Sequence, residues 1–381
     1  MKINPLRAPF IVSWAHFFST KTTLRRLTAS EVCSPPRRMP LSLIIPRHLI
    51  RQLVTFFRFL IPLAFTTAGI IPRAALRADI QPSDVIDIGS RRELFVDAFL
   101  VDRLTQKAEL RLHHPVPQEV VLVHDDPWEG SGSSYRSIFK DRDCYRMYYS
   151  AVHLIFTPDK SQRGDTVHPL FCCYAESDDG IHWRKPELGL HEFQGSKANN
   201  IVIVTGKVGV VGVIADAGHP AVFKDENPDA APDARNQAIL RARSPKGLLP
   251  FKSPDGIHWS PMSNAPVITD GAFDSQNLAF WDGVRDEYRA YWRYFTSGTN
   301  TSSGERGIRT ATSKDFLHWG TQADLRYVDS PVEELYTNQI KPYYRAPHLL
   351  IGFPARYLDR GWSESMRALP ELEHREWRAK A

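Results

Sequence analysis

The sequence predicts an all-β fold of the propeller type, and three observations lead to it. A short motif recurs three times along the chain. Each copy sits beside runs in which aromatic and aliphatic residues alternate with polar ones. The chain is also rich in strand-forming aromatic residues, with 9 Trp and 13 Tyr among 381 residues.

The motif carries the most information. Ser177 to Trp183 reads SDDGIHW, Ser253 to Trp259 reads SPDGIHW, and Ser313 to Trp319 reads SKDFLHW. The shared frame is Ser-x-Asp-(Gly/Phe)-(Ile/Leu)-His-Trp. The Asp can accept backbone N–H bonds within a tight turn, and Gly supplies a positive φ. The Trp then re-enters the sheet as a hydrophobic anchor. His182, His258 and His318 recur inside the turn, which marks them as structural.

Upstream of the turns lie SIFKDRDCYRMYYSA, LAFWDGVRDEYRAYWRYF and IKPYYRAPHLLIGFPARY, each a strand, a polar turn and a strand by period-two alternation. AVFKDENPDAAPDARNQAILRAR is a looser version. Each unit thus supplies about four antiparallel strands, with the motif between the last two, as expected of propeller blades. A β-sandwich also has many short strands but predicts no recurring turn. Blades are expected near residues 130–190, 200–262, 272–322 and from 333 onward. After Trp362 the sequence turns charged and helical, so the propeller over residues 79–381 is expected to be incomplete at its C-terminal end.

Residues 1–78 read differently. They carry 12 of the 48 Lys and Arg and one of the 43 acidic residues, so the remainder holds 36 basic against 42 acidic side chains, a net of −6. The overall +5 belongs to the leader, and the body lacks the excess of positive charge that a nucleic-acid partner would call for. Arg47, Arg51 and Arg58 precede the uncharged run Phe59 to Ile71, followed by the small residues of RAALRA. This pattern predicts a secretory signal peptide over 39–78, cleaved near Ala78, and a secreted or periplasmic protein. The run is too short for a stable membrane span. A start at Met39 gives a leader of ordinary proportions and leaves 1–38 as an N-terminal extension.

Cys172 and Cys173 are adjacent, so on a strand they face opposite ways. A bridge from one of them to Cys144 and buried free thiols are both open. No cysteine spacing suits a metal, and no Gly-rich phosphate loop, His-Glu-x-x-His run or nucleophilic Ser elbow is visible, so neither metal nor cofactor is expected.

Taken together, SPDGIHW, FDSQNLAFWD, LYTNQIKPYY and RGWSESM resemble a group of secreted bacterial proteins of planctomycete type, similar to the N-terminal domain of family 32 glycosyl hydrolases. The resemblance covers about residues 85–381. It implies the five-bladed propeller shared by invertases, levansucrases and arabinanases, and a carbohydrate ligand. The invertase-type Asn-Asp-Pro opening and the Arg-Asp-Pro and Glu-Cys blocks are absent. The turn also differs from the sialidase Asp-box, where Gly falls two residues after Asp and not one.

Such hydrolases carry acids at the innermost strand of successive blades, where one carboxylate protonates the leaving oxygen and another attacks or activates water. At equivalent places here stand Glu129, Asp216, Asp274 and Glu333 beside Glu334. Glu129 or Asp274 is the candidate base or nucleophile and Glu333 the candidate acid. The same carboxylates at strand starts also suit backbone capping. Arg136, Arg293 and Arg356 are candidates to grip a sugar carboxylate or sulfate, or to pair with a neighbouring acid. Asn277, Asn338 and Gln339 are candidates for sugar hydroxyls, or for buried backbone groups. Three functions remain open: a glycoside hydrolase, a non-catalytic glycan-binding propeller or remnant, and a phosphorylase-like enzyme.

Overall fold

Alternation of apolar and polar residues makes strands that bury one face, and such strands must stack to hide it. In the computed structural model, described here over residues 86–155, 166–209, 212–298, 303–327, 330–358, 361–370, 372 and 375–376, they do so as successive antiparallel sheets. The leader and extension expected before residue 79 lie outside the described residues.

The first sheet contains β1 (Gly132–Asp141), β2 (Cys144–Val152), β3 (Phe171–Ser177) and β4 (Trp183–Arg184), with β5 (Ile201–Val204) added beside β3. The second contains β6 (Gly206–Val208), β7 (Val213–Lys224), β8 (Asn236–Ser244), β9 (Lys246–Ser253) and β10 (Ser260–Pro261). The third contains β11 (Leu278–Asp282), β12 (Glu287–Phe295), β13 (Arg306–Ser313) and β14 (Ala323–Asp324). Two short pairs follow: β15 (Glu334–Leu335) with β18 (Arg356–Tyr357), and β16 (Lys341–Tyr343) with β17 (Ala346–Ile351). A single turn of helix, α1 (Glu364–Arg367), is capped by the Ser363 hydroxyl. The all-β propeller class expected from the repeat is the class observed.

Two of the three apolar cores lie between sheets. Tyr148, Cys172 and Tyr174 of the first sheet meet Val222, Leu240 and Phe251 of the second. Phe223, Ile239 and Leu248 of the second meet Phe280, Tyr291 and Trp292 of the third. Each Val, Leu, Ile or Phe among them contributes about 1.5–3 kcal/mol by leaving water. Cys173 faces the opposite core, with Met147, Tyr149 and Phe171. Cys144, Cys172 and Cys173 are all free thiols.

The repeated motif forms the same turn three times, between β3 and β4, β9 and β10, and β13 and β14. Oδ1 of Asp179, Asp255 and Asp315 accepts the backbone N–H groups two and three residues on, at 2.8–2.9 Å. Oδ2 meets the imidazole Nδ1 of His182, His258 and His318 at 2.6–2.7 Å. Gly180 and Gly256 both have φ near +81°, and Phe316 holds φ +67° at the same place.

These turns also fasten the sheets together. The Arg146 guanidinium of β2 donates to the Asp255 carbonyl of the next sheet's turn. Along the inner strands, the Val222 N–H of β7 donates to Ser137 Oγ of β1 at 3.1 Å. Gln276 donates to the carbonyls of Arg136 and Pro220 at 3.4 and 3.2 Å, and Gln339 donates to Gln276 at 3.1 Å. Among the described residues, no helix is long and apolar enough to cross a membrane.

Candidate functional site

Glu129 ends the turn that leads into β1, and its side chain is fully buried. It accepts from Tyr149 Oη at 2.6 Å, Lys185 Nζ at 2.7 Å, the Asp126 N–H at 3.0 Å and His124 Nδ1 at 3.2 Å. Arg136 approaches the other ring nitrogen of His124 at 3.1 Å. A guanidinium only donates, so Nε2 accepts and Nδ1 carries the proton given to Glu129. Burial alone would raise the Glu129 pKa, but the bonds from His124, Lys185, Tyr149 and Asp126 bring it down to about 2. Asp125, Asp126 and Glu129 converge closely enough to suit a cation, and the Lys185 ammonium already contacts all three at 3.6, 2.9 and 2.7 Å. This cluster fixes the entry to the first sheet and withdraws the Glu129 carboxylate from solvent, whereas the Asp125 side chain is 77% exposed.

Asp216 lies within β7, opposite Arg241 of β8, and not ahead of the strand as the sequence suggested. Its carboxylate is fully buried. Oδ1 accepts the Gly218 N–H at 2.8 Å, and Oδ2 takes Arg243 Nε at 2.9 Å. His219 Nδ1 stands 3.3 Å from the same Oδ2 without the alignment of a hydrogen bond, and Arg241 Nη1 stands 3.5 Å away. Burial opposes ionisation, yet His219 and Arg243 outweigh it and hold the carboxyl below its usual range.

Asp274 precedes β11 and keeps 57% of its side chain exposed while pairing with Arg293, whose own side chain is 4% exposed. The Arg293 guanidinium lies over the rings of Phe295 and Tyr336, 5.2 and 5.0 Å from their centroids. Glu333, just ahead of β15, pairs with Arg356 of β18, and Glu334 with Arg306 of β13. Each of the four acids is therefore met by a cation.

The amides serve the backbone and neighbouring side chains. Asn277 donates to the carbonyls of Phe273 and Ser275 at 3.0 and 2.8 Å, and Asn338 to that of Tyr291 at 3.2 Å. The Gln339 oxygen accepts from Thr337 at 2.6 Å.

Among the described residues, a space that a ligand can enter lies between the first two sheets. It is a cleft of about 400 Å³ lined by Ser134, Tyr135, Ser150, Thr166, Thr205, His219 and Arg243, with Val152, Leu154 and Leu170 as its apolar wall. Tyr135 sits at a bulge in β1 with φ +52°, a strained backbone for a bulky residue. Its ring faces His219 at 5.1 Å between centroids, tilted by 31°. Burial and the neighbouring Tyr336 hydroxyl push the Tyr135 hydroxyl well above its ordinary range. Arg136, Arg293 and Arg356, singled out from the sequence, do not line this cleft, and neither do the four acids. Asp216 reaches it through His219 and Arg243.

Tyr135, His219, Arg241 and Arg243 carried no motif. Arg241 and Arg243, two apart on a strand and so on one face, were the available signal. The bulge that turns Tyr135 is a tertiary feature with no local sequence mark.

No protein-family profile matches the sequence, and neither does any curated protein. Solved structures with distant likeness include an N-acetylgalactosamine deacetylase from F. plautii in complex with blood group B trisaccharide, at 14% identity and TM-score 0.35 over 56% of this chain and 60% of that one. A fructofuranosidase from Schwanniomyces occidentalis complexed with fructosylnystose has 16% identity and TM-score 0.35 over 58% of this chain and 39% of its own. Zg3597, a family 117 glycoside hydrolase from Zobellia galactanivorans, has 12% identity and TM-score 0.34 over 55% of this chain and 59% of its own. This chain therefore spans less than two thirds of each.

Proposed function

We propose that the protein is a glycan-binding propeller whose saccharide occupies the cleft between β1 and β7. One observation carries the reading. A cleft of about 400 Å³ combines four hydroxyl-bearing side chains, the Tyr135 ring, an imidazole and a guanidinium, and no carboxylate is among its described lining residues. Hydroxyls and guanidinium match sugar hydroxyls as donors and acceptors, and an aromatic face takes the C–H face of a pyranose. The volume falls in the ordinary range for small-ligand sites. Binding to an array of oligosaccharides, repeated with Tyr135→Ala, tests this. The reading requires at least one saccharide that the native chain binds and the variant does not. An array on which both behave alike removes it.

A hydrolytic reading is favoured by Asp274, which keeps more of its carboxylate exposed than Glu129, Asp216 or Glu333. Beside Arg293 it suits a base or nucleophile, which must be ionised, and not a proton donor. Glu333, the acid expected as proton donor, is paired with Arg356. Release of reducing ends from a polysaccharide panel, abolished by Asp274→Asn, is the result that establishes hydrolysis. No release from any member leaves binding alone.

A further inference from the structure

Resting on the glycan-binding reading, we propose that the cleft takes an acidic saccharide, with Arg243 of its lining receiving the oxyanion of a sugar carboxylate or sulfate ester and Arg241, beside it over Asp216, supplying the surplus positive charge. The argument is one of charge and placement. Two guanidinium groups and the His219 imidazole gather on one oxygen of one carboxylate, Asp216 Oδ2, at 2.9, 3.5 and 3.3 Å. A single carboxylate neutralises one of the two guanidiniums and leaves a positive charge over.

The excess charge lies at the front of the site. The Asp216 side chain has no exposure, whereas those of Arg241 and Arg243 keep 30% and 43%. Arg243 spends its Nε on Asp216, and its two terminal nitrogens make no hydrogen bond to a described residue. Among the described residues Arg241 makes none through any nitrogen, and its nearest acid oxygen there is the one 3.5 Å away. An oxyanion in the cleft can accept from the terminal nitrogens of Arg243, a geometry that a guanidinium favours, while Arg241 adds its charge from beside it. Burial, opposed by Asp216 and reinforced by the like charge of Arg243, lowers the Arg241 pKa, as expected of a cation short of counter-charge.

A further guanidinium, that of Arg293, stands outside the cleft lining and is paired with Asp274. The Arg293 side chain is 4% exposed, and its Nε is buried with no hydrogen-bond partner. It stacks on Tyr336, the residue whose hydroxyl neighbours that of Tyr135 at the cleft wall.

Calorimetry on the full chain tests the inference with matched oligosaccharides that differ only at C6. The gluco, galacto and manno series are each offered as uronate, uronate methyl ester, neutral hexose and 6-sulfated hexose, with inorganic phosphate as a separate probe. In one series the uronate or the sulfated form is expected to bind about tenfold or more tighter than the ester and the neutral sugar, the size of one charge-assisted hydrogen bond. That preference should shrink with added salt and disappear in Arg243→Gln and Arg241→Gln, while Arg184→Gln on the outer edge keeps it. Which anionic form binds identifies the source of the oxyanion. Equal affinity for uronate and ester overturns the inference and leaves saccharide binding intact, a comparison that needs no variant to fold. Binding of phosphate with no saccharide, or of nothing, overturns both readings.

Discussion

The Tyr148 hydroxyl of β2 donates to the Gly256 carbonyl of the second sheet's turn at 2.9 Å, so the repeated motif closes its own hairpin and grips the sheet before it. Both partners are buried, and an orphaned carbonyl there costs more than a surface bond would. Tyr148→Phe keeps the ring against Tyr174 and Trp259 and removes only this bond. A loss of about 1 kcal/mol in denaturant unfolding, with an unchanged m-value, is expected. No change in midpoint means that the turn is held by the Arg146 contact alone.

The three turns differ in what stands over their left-handed residue, and that difference is measurable. A Cβ on Gly180 meets only the Tyr145 ring at 3.7 Å, so Gly180→Ala carries a backbone penalty of about 1 kcal/mol. A Cβ on Gly256 falls 2.5 Å from both Tyr148 Oη and Arg146 Nη1, so Gly256→Ala should cost clearly more, about 2–3 kcal/mol. Phe316 has the reverse balance. Its φ of +67° is strained, but the ring is fully buried against Phe223, Tyr288 and Trp319. Removing a buried Phe ring costs about 3–5 kcal/mol and relief of φ returns about 1. Phe316→Gly should therefore destabilise despite restoring the residue the other two copies use. Thermal unfolding of the three variants gives the ranking directly.

Much of this was legible in the sequence because it is local. The Asp179, Asp255 and Asp315 turns, the opposite facing of Cys172 and Cys173, and the placing of Glu129 and Asp274 ahead of inner strands follow from spacing and alternation. The candidate site was legible only in part. A carboxylate at a strand start looks the same whether it faces a ligand or Lys185, and the partners that silence Glu129 come from as far away as Tyr149 and Lys185. The cleft depends on how β1 bulges against β7, which no run of residues announces.

Glu129 also sets a pH dependence. Its folded pKa of about 2 lies below the ordinary 4.5, so its contribution is complete above about pH 5 and is lost as pH falls toward 2. A depression of this size corresponds to about 3 kcal/mol of linked stability. Native chain should weaken steadily in urea between pH 5 and pH 3, and Glu129→Gln should be weaker at pH 7 but flatter over that interval. Parallel slopes for the two proteins assign the acid sensitivity to other carboxylates, the turn aspartates first.

Tyr135 separates function from stability. Its φ of +52° is one that glycine adopts freely, and its ring faces the imidazole of His219 at the cleft wall. Were the ring there for packing, Tyr135→Gly would destabilise by the loss of a half-buried aromatic. Were it there for the ligand, the fold would gain about 1 kcal/mol of relieved strain, set against the lost contacts, while saccharide affinity fell. The expected outcome is a melting temperature within a few degrees of the native chain and binding weakened at least about tenfold, since a stacked aromatic contact contributes on the order of 1 kcal/mol. A large drop in melting temperature with binding kept by the folded fraction assigns Tyr135 to the scaffold. The bulge in β1 would then be a device for joining two sheets, with no part in holding a sugar.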